Sequence, residues 1–500
     1  MKSAVIILLW LFFSSFFSFD VVARSESRLN VLFISIDDLR TNLGCYGDGI
    51  AVTPRIDHLA KTGLTFERAY CQQAVCNPSR QSFMSGRRPD SIRVWNMVDH
   101  FRQTAPDVVT LPEHFKKHGY FARSFGKIYH GQTGMNDPQS WSVPEQFDHS
   151  DKIEDYGQKP EEGSRKKNQA KQTAALIANN ADADYADGKI AIAAIDALRE
   201  FNRNDTPFFL AVGFRKPHLP FAAPKKYWEL YDPAKIPAPT PVMPPKDVPA
   251  IALHEWNELR GYVDMPKEGP VSSEKARELR HGYYAATSFM DAQVGKVLDE
   301  LERLGLHENT IVVLFSDHGF HLGEHGLWAK ASNFELDARV PLVIRVPNQK
   351  AAGRKTKALV ELVDLFPTLT ELCGLPRPPK LDGVSLVPLL ANPRGKVKEF
   401  ALSQFPRPWQ LNQQPQKMGY AMRTDRWRYV EWIDFQTRAI LDRELYDLQT
   451  DLNEHVNLAD HPQQAMRVAE LSRQLNISLD HTSGPLLKKS NSPTPGEAPQ

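Results

Sequence analysis

Cysteine is scarce in this chain, with four residues among 500: Cys45, Cys71, Cys76 and Cys373. Four are too few for the disulfide scaffold that small exported proteins use in place of a core. A pairing of Cys45 with Cys71 stays open from the sequence alone. Because the chain is long enough to bury a large apolar core, we expect the fold to depend on that core.

The chain also lacks an excess of positive charge, since 61 Lys and Arg residues face 60 Asp and Glu residues. This balance argues against a nucleic-acid partner, which would be bound by a strongly basic surface. An anionic substrate would instead have to be met by a local cluster of cations. The sequence contains no internal repeat.

Beyond the N terminus, no run of residues is apolar enough to cross a bilayer. Residues 1–23 combine Lys2, an apolar run over 4–19 and small residues at 21–23, which predicts a signal peptide. An uncleaved anchor is the alternative, but a spanning helix needs ~20 apolar residues. We predict export to the periplasm or the medium, or to the lysosome in a eukaryote, with no membrane span after cleavage.

Apolar, strand-like runs alternate with helical patterns along most of the chain. The runs are 31–36, 64–70, 120–125, 207–214 and 310–316, and the helical patterns are 53–61, 111–118, 182–202 and 273–304. This alternation predicts an α/β fold, with a large, mostly parallel sheet flanked by helices. In such sheets ligands bind at the carboxyl ends of the strands, so polar residues that follow the strands are candidate site residues.

The pattern changes after residue 392. Strand-like runs at 400–405, 420–423 and 427–432, with a final helix near 462–479, predict a smaller α+β domain built on an antiparallel sheet. We therefore predict a large catalytic domain over 24–392, a C-terminal domain over 393–480 and a disordered tail over 481–500. Two long excursions, 151–171 and 233–270, are expected to shape or rim a cleft.

Five short segments carry the chemically capable side chains. Asp37 and Asp38 end the first strand, where adjacent carboxylates repel unless a cation or a network holds them, although helix capping or turn solvation also fits. Cys76 precedes Pro78, which suits a helix start, so that the dipole would favour an anion at Cys76 and Arg80 would offer a fork for two anion oxygens. A buried or disulfide-bonded cysteine is the alternative there.

The other three segments also follow apolar runs. Lys127 and His130 lie three residues apart, a common spacing that surface residues also show. His218 lies between two prolines that fix its loop, and a structural histidine is the alternative. The segment 316–330 holds a carboxylate, imidazoles, glycines and Lys330, which is hard to explain by packing alone. Within it, Phe320 and His321 are plausible substrate contacts.

Cys76-Asn77-Pro78-Ser79-Arg80 matches the Cys-x-Pro-Ser-Arg signature, and the chain resembles the type I, formylglycine-dependent sulfatases of the alkaline-phosphatase-like superfamily. The residues 84–87, Met-Ser-Gly-Arg, depart conservatively from the family's Leu-Thr-Gly-Arg. The run Ser-Asp-His-Gly-x-x-x-Gly-Glu-His-Gly-x-Trp-x-Lys at 316–330 resembles the iduronate-2-sulfatase branch and its bacterial relatives.

The resemblance implies that a formylglycine-generating enzyme converts Cys76 to formylglycine (3-oxoalanine) before folding, and that its hydrate attacks sulfur. It implies one divalent ion, taken as Ca²⁺, although a histidine ligand would better suit a softer ion. The implied ligands are Asp37, Asp38, residue 76, Asp317 and His318. The implied catalytic set is Cys76, Arg80, Lys127, His130, His218 and Lys330: Arg80, Lys127 and Lys330 neutralise the sulfate, His130 moves the proton of the nucleophile, and His218 or Lys330 protonates the leaving alcohol.

By the same resemblance, the expected activity is sulfuric ester hydrolysis on a sulfated carbohydrate. A phosphomonoester or phosphonate ester hydrolase is the alternative within the superfamily. A non-catalytic glycan-binding relative is the alternative from another class. The full set of candidate residues argues against the loss of activity.

Overall fold

The computed structural model describes residues 28–131, 135–146, 173–204 and 206–482. The predicted signal peptide and the excursion at 151–171 lie outside these residues, as does the predicted tail beyond residue 482. The strands are β1 (Asn30–Ile36), β2 (Leu64–Tyr70), β3 (Phe121–Gly126), β4 (Ala175–Ala178), β5 (Phe208–Phe214), β6 (Phe221–Pro224), β7 (Thr310–Ser316), β8 (His321–Leu322), β9 (Trp328–Ala329), β10 (Arg339–Val340), β11 (Leu342–Arg345), β12 (Arg354–Glu361), β13 (Ala401–Arg407), β14 (Lys417–Arg423), β15 (Trp427–Asp434) and β16 (Ile440–Asp447).

The helices are α1 (Pro54–Thr62), α2 (Cys76–Ser85), α3 (Pro89–Ile92), α4 (Phe101–Thr104), α5 (Leu111–Lys117), α6 (Ala186–Asn204), α7 (Lys225–Trp228), α8 (Asn257–Arg260), α9 (Ser273–Arg303), α10 (Glu335–Ala338), α11 (Leu365–Leu372), α12 (Val387–Ala391) and α13 (Ala465–Thr482). Within the described ranges, none of these helices is both long and apolar enough to span a bilayer.

A mixed central sheet has the strand order β10-β2-β11-β7-β1-β5-β3, and β12 also pairs with β2. The neighbours β7, β1, β5 and β3 run parallel to one another, whereas β11 runs antiparallel to both β2 and β7. The predicted mostly parallel sheet flanked by helices is therefore confirmed. The antiparallel insertion of β11 was not predicted.

The two faces of β1 explain why its sequence is almost wholly apolar. Phe33 packs with Phe83, Phe209 and Phe315 on the face covered by α2, α5 and α11. On the opposite face, Leu32, Ile34 and Ile36 join the cluster formed with α1, α6 and α9. Because both faces are covered, the strand has no solvated side and reads as a continuous apolar run.

A separate antiparallel sheet, β13-β14-β15-β16, follows in the C-terminal part, as predicted. The helix α13 covers one face of it through Leu471, Leu475 and Leu479, which pack with residues such as Met418 and Tyr429. The boundary between residues 392 and 393 stays a prediction. All four cysteines are free thiols, so the pairing of Cys45 with Cys71 that the sequence left open is not formed.

A buried ion cluster connects the C-terminal sheet to the start of α10. The side chain of Arg428, on β15, is 1% exposed and pairs with Glu335, at the start of α10, and with Glu454, whose Oε1 lies 2.8 Å from Nε of Arg428. Arg428 also donates to the carbonyl oxygen of Asn333. Burial raises the pKa of Glu454 to about 7 despite the attraction of Arg428. The C-terminal sheet is therefore held to the segment after β9 by charges removed from water.

We expect Arg428→Met to lower the free energy of unfolding by about 3–5 kcal/mol, because it leaves the buried Glu454 without its cation and Glu335 with the more distant Arg423, at 3.4 Å. Arg426→Met is the matched control: Arg426 lies two residues away and pairs with Asp447, but its side chain is 49% exposed. The free energy of unfolding of that variant should be close to that of the wild type. Urea denaturation at neutral pH measures both, and equal midpoints for the two variants would contradict the assigned role.

Candidate active site

Four neighbouring parallel strands end at the same edge of the central sheet. Ile36 is level with Ser316 of β7 and with Phe214 of β5, and Gly126 of β3 is level with Gly213 of β5. The amides of Asp37 and Asp317 continue this ladder by donating to the carbonyl oxygens of neighbouring strands, Phe214 and Ile36 respectively. The segments that follow the strands are thereby brought together: Asp37–Asp38, Lys127–His130, the loop with His218, and Asp317–His318.

Cys76 reaches this edge from a helix rather than from a strand. It is the first residue of α2, as its position before Pro78 predicts, and Val75 before it is extended. Its Sγ lies 3.4 Å from Nε2 of His318, 3.5 Å from Nζ of Lys127 and 3.6 Å from Oδ1 of Asp37. The residue is 2% exposed, so the folded chain offers almost no access to the sulfur.

Charges on both sides act on this thiol. Burial and the Asp37 carboxylate raise the pKa of Cys76, but Lys127, Lys330 and His318 outweigh them and bring it well below the usual value of a cysteine. A negative charge at the position of this side chain is therefore stabilised by its surroundings.

The residues that could hold a metal ion form two overlapping groups. Ligand atoms of Asp37, Cys76, Asp317 and His318 all lie within 4.8 Å of one another, and those of Asp38, Cys76 and His218 do so too. The Nε2 atom of His318 lies 3.5 Å from Oδ1 of Asp38, which connects the groups. The predicted ligand set is therefore gathered in one place.

Three features of this cluster suit a hard divalent cation. Asp37, Asp38 and Asp317 are all 0% exposed, and Oδ1 of Asp38 has no hydrogen-bond partner. Burial raises the pKa of Asp38 and raises that of Asp317 to about 7, so the cations beside them, such as Lys330 and Arg80, do not fully offset the loss of water. Asp38 also has a φ of +60°, a strained conformation for a non-glycine residue. Carboxylate oxygens are the ligands that Ca²⁺ and Mg²⁺ prefer.

The guanidinium of Arg80 does not present a free fork to an anion. It is fully buried, with Nε 2.9 Å from Oδ2 of Asp317 and Nη2 3.1 Å from Oδ1 of Asp37. Its Nη1 donates to Ser35 and to the carbonyl oxygens of Lys127 and Ile128. We therefore reassign Arg80 from sulfate binding to the positioning of two candidate ligands.

Lys127 and His130 lie on the β3 side of Cys76. Nζ of Lys127 donates to Asp37 and lies 3.5 Å from the Cys76 sulfur. Gly213 permits this arrangement, because a Cβ there would lie 2.2 Å from the carbonyl oxygen of Lys127. Burial lowers the pKa of His130, against the opposing effect of the nearby Cys76. A neutral imidazole beside residue 76 can accept a proton.

Lys330 and His218 lie on the side of the site that reaches solvent. Nζ of Lys330 is 3.0 Å from Oδ2 of Asp38, and Nε2 of His218 is 3.8 Å from the same oxygen. Burial lowers the pKa of His218, but the attraction of Asp38 and Asp37 outweighs it and raises the pKa to about 10. The ring of His218 is thus protonated at neutral pH.

Phe320 and His321 are buried behind the site, and only the Phe320 ring approaches it, with Nζ of Lys330 5.7 Å from the ring centroid. Phe320 is 1% exposed and stacks on Tyr283, with ring centroids 5.9 Å apart. His321 is fully buried, and its Nδ1 lies 2.6 Å from Oδ1 of Asp337. Both side chains support the loop from within, and their burial does not favour the expected contact with substrate, which stays a prediction.

Several supporting residues were not singled out from the sequence. Glu324 lies inside the motif at 316–330 and pairs with Nη1 of Arg40 at 3.0 Å and Nη1 of Arg280 at 2.8 Å. Tyr283 donates from its hydroxyl to the carbonyl oxygen of Asp38 and accepts from the amide of Arg40. These contacts fix the turn of Asp37 and Asp38 to α9.

Two further carboxylates reach the site from distant segments. Asp187, at the start of α6, accepts from the amides of Arg215 and Lys216 at 2.8 and 2.9 Å, and so holds the loop of His218. Glu258, in the excursion at 233–270, contacts both Lys330 and His218. No local pattern marks either residue, because the partners are far away in the chain.

The chain is similar to known proteins over most of its length. The family model described as "Sulfatase" matches residues 29–375, and that described as "N-sulphoglucosamine sulphohydrolase, C-terminal" matches residues 323–480. The chain is 36% identical over 507 aligned residues to iduronate 2-sulfatase of Mus musculus, covering 86% of this chain and 91% of that protein.

Two solved structures share the fold. One, of a protein in complex with its substrate D-glucosamine-2-N,6-O-disulfate, has a TM-score of 0.74 at 22% identity and covers 92% of this chain and 100% of that one. The other, a phosphonate monoester hydrolase from Silicibacter pomeroyi, has a TM-score of 0.74 at 23% identity and covers 92% and 97%. At such identities the likeness concerns the fold alone.

We expect Asp187→Ala to loosen the loop of His218, because it leaves two buried amides without an acceptor. Hydrogen exchange followed by mass spectrometry should show faster exchange in peptides that contain residues 215 and 216. Asp196→Ala, on the same helix but with its side chain 65% exposed, is the control and should leave this exchange unchanged. Equal protection in Asp187→Ala and the wild type would show that the loop is held by other contacts.

Proposed function

The chain belongs to the sulfatase family, and from this premise we propose that it removes sulfate from a sulfated sugar by means of a formylglycine made from Cys76. The observation that carries the proposal is the position of Cys76. It is the first residue of a buried helix, within 3.6 Å of a carboxylate, an imidazole and an ammonium group. The same side chain matches the cysteine of the family's modification signature.

The burial of Cys76 bears on when it would be modified. At 2% exposure, the sulfur is closed to another enzyme once the chain has folded. The formylglycine-generating enzyme would therefore act on the unfolded chain. We propose this enzyme as a maturation partner, together with export directed by residues 1–23.

Asp37, Asp38, Asp317 and His318 would hold one divalent ion together with residue 76. We propose Ca²⁺, because three of these side chains offer hard oxygen ligands, even though the imidazole is an unusual fourth. When both groups are in place, the hydrated aldehyde supplies the hydroxyl that attacks sulfur and the ion lowers the pKa of that hydroxyl. Arg80 keeps Asp37 and Asp317 at a fixed separation.

The remaining residues would handle charge and protons. Lys127 and Lys330 offset the charge that moves onto the sulfate oxygens during attack. His218, on the solvent side, donates a proton to the oxygen of the leaving alcohol, with Lys330 as the second candidate. His130 accepts a proton from residue 76, so that sulfate can leave in the second half of the reaction.

The substrate is proposed from the relatives. The similarity to iduronate 2-sulfatase suggests a uronate 2-sulfate within an acidic polysaccharide. The likeness of fold to a phosphonate monoester hydrolase keeps a phosphorus ester as the second candidate. We also propose that residues 24–392 form the catalytic domain and 393–480 the C-terminal domain.

We expect the mature enzyme to desulfate members of a panel of defined sulfated oligosaccharides, with uronate 2-sulfates among the substrates cleaved. Matched sulfate and phosphate monoesters of one alcohol should show a preference for the sulfate. Cys76→Ala should reduce kcat at least about a thousandfold, because it removes the nucleophile. Released sulfate, measured by ion chromatography, is the readout.

Cys373→Ala is the control, because Cys373 is only partly buried and lies outside the site. Its rate should stay near that of the wild type. Mass spectrometry of the peptide that contains residue 76 should find the aldehyde in place of the thiol. A preference for phosphate, or full activity with an unmodified thiol, would overturn the proposal.

Removal of divalent ions with a chelator should abolish activity and lower the unfolding temperature. Added Ca²⁺ should restore both, and at a concentration a hundred times its Kd the gain in stability is about 2.7 kcal/mol. Asp317→Asn should lose this stabilisation. Asp299→Asn, a carboxylate with 56% exposure on α9, should keep it. Better recovery with Mn²⁺ or Zn²⁺ would replace calcium in the proposal, and no response to the chelator would remove the ion.

A further inference from the structure

The two cationic side chains on the solvent side of the site share a partner that the proposed reaction does not use. Oε1 of Glu258 lies 2.8 Å from Nζ of Lys330 and 3.2 Å from Nε2 of His218. Both cations also face Oδ2 of Asp38, at 3.0 and 3.8 Å. Two carboxylates therefore hold the same pair of cations, one from each side.

These two carboxylates differ in their access to water. The side chain of Asp38 is 0% exposed, whereas that of Glu258 is 32% exposed, and Lys330 lies between them at 5%. Glu258 thus covers the solvent side of the cationic pair. An anion that arrives from solvent meets Lys330 and His218 where this carboxylate already lies.

The backbone around Glu258 is fixed, and the side chain is the part that can move. Trp256 and Leu259, on either side, are buried in the apolar cluster that also contains Phe320 and Trp328. The guanidinium of Arg260 lies 3.5 Å from the centroid of the Trp256 ring and covers it. Displacement of the carboxylate therefore needs only a rotation of side-chain bonds toward water that it already contacts.

We propose that the Glu258 carboxylate is an internal anion that occupies the position of the substrate's sulfate group in the free enzyme and is displaced when substrate binds. The inference rests on the proposed function, because it takes Lys330 and His218 as the groups that meet the sulfate. Glu258 is in this sense a specificity-determining residue rather than a catalytic one.

The consequence is selectivity for whole substrates over free anions. Every anion must displace Glu258, so each loses the same amount of binding free energy. A sulfated sugar recovers this loss through its other contacts, whereas inorganic sulfate has no further contacts to make. Glu258 should therefore weaken binding of the sulfate product and favour its release.

Glu258→Gln tests this directly, because it keeps the shape and removes the charge. With the mature, Ca²⁺-loaded enzyme, the Kd of inorganic sulfate measured by calorimetry should fall about tenfold, as expected when a like charge at contact distance is removed. Inhibition by sulfate should strengthen by the same factor. KM for a sulfated substrate should fall, with a smaller change in kcat.

Glu255→Gln is the matched control, since Glu255 lies three residues earlier, has 82% exposure and approaches only Arg260, at 3.9 Å. Its sulfate affinity should equal that of the wild type. Glu258→Ala should change affinity in the same direction as Glu258→Gln. Equal sulfate affinity in the wild type and both Glu258 variants, including no measurable binding by any of them, would overturn the inference, as would weaker binding.

The calorimetric readout separates this inference from the proposed function. Tighter sulfate binding by the Glu258 variants, in an enzyme that hydrolyses no sulfate ester, would leave the role of Glu258 standing and overturn the function. Hydrolysis of sulfate esters together with unchanged sulfate affinity in the Glu258 variants would support the function and overturn the role of Glu258.

Discussion

Burial of three carboxylates in one place is the constraint on which this structure depends. Asp37, Asp38 and Asp317 are all 0% exposed and stand at the ends of neighbouring strands. Buried like charges cost several kcal/mol each unless countercharges and hydrogen bonds replace water. Arg80 lies between Asp37 and Asp317, Lys127 contacts Asp37, and Lys330 contacts Asp38. Oδ1 of Asp38 has no hydrogen-bond partner, which supports the proposal of one more cation beside it.

The sheet topology brings these charges together while the backbone amides of Asp37 and Asp317 stay hydrogen-bonded. The ladder of β1 with β5 and β7 continues through the amides of Asp37 and Asp317, so both segments stay hydrogen-bonded while their side chains point into the site. Cys76 and Arg80 lie four residues apart on α2 and therefore face the same way. One helix thus sets both the position of residue 76 and the separation of the carboxylates around it.

Much of this site could be predicted, because parallel strands covered on both faces read as apolar runs that end abruptly. The run predicted at 31–36 is β1, Asn30–Ile36, and the run at 310–316 is β7 without any difference. The strand β11, Leu342–Arg345, was not predicted, because a run of four residues is too short for periodicity to identify it and nothing local gives its direction. The acceptors of Arg80 were missed for a related reason: a signature names the arginine but not the groups that surround it.

Glu258 and Asp187 were missed because no local pattern marks either residue as part of the site. Both are acidic residues in polar stretches, and only the three-dimensional structure places one against Lys330 and the other under the His218 loop. The positions of the strand-end residues can be predicted from the sheet. A long excursion such as 233–270 brings a further residue to the same site. The residues at the strand ends therefore identify the chemistry. Residues in the excursions, such as Glu258, could not be assigned to the site from the sequence.

The cations of the site divide into two sets with different duties. Arg80 and Lys127 are fully buried, and each also holds candidate ion ligands in place, Arg80 through Asp37 and Asp317 and Lys127 through Asp37. Lys330 and His218 lie toward solvent, where an anion can reach them. Asp38 is a carboxylate that connects the two sets, because it is a candidate ion ligand and also a partner of Lys330. A cation that draws Asp38 toward itself therefore loosens its hold on Lys330, and by linkage an anion that occupies Lys330 favours the ion in turn.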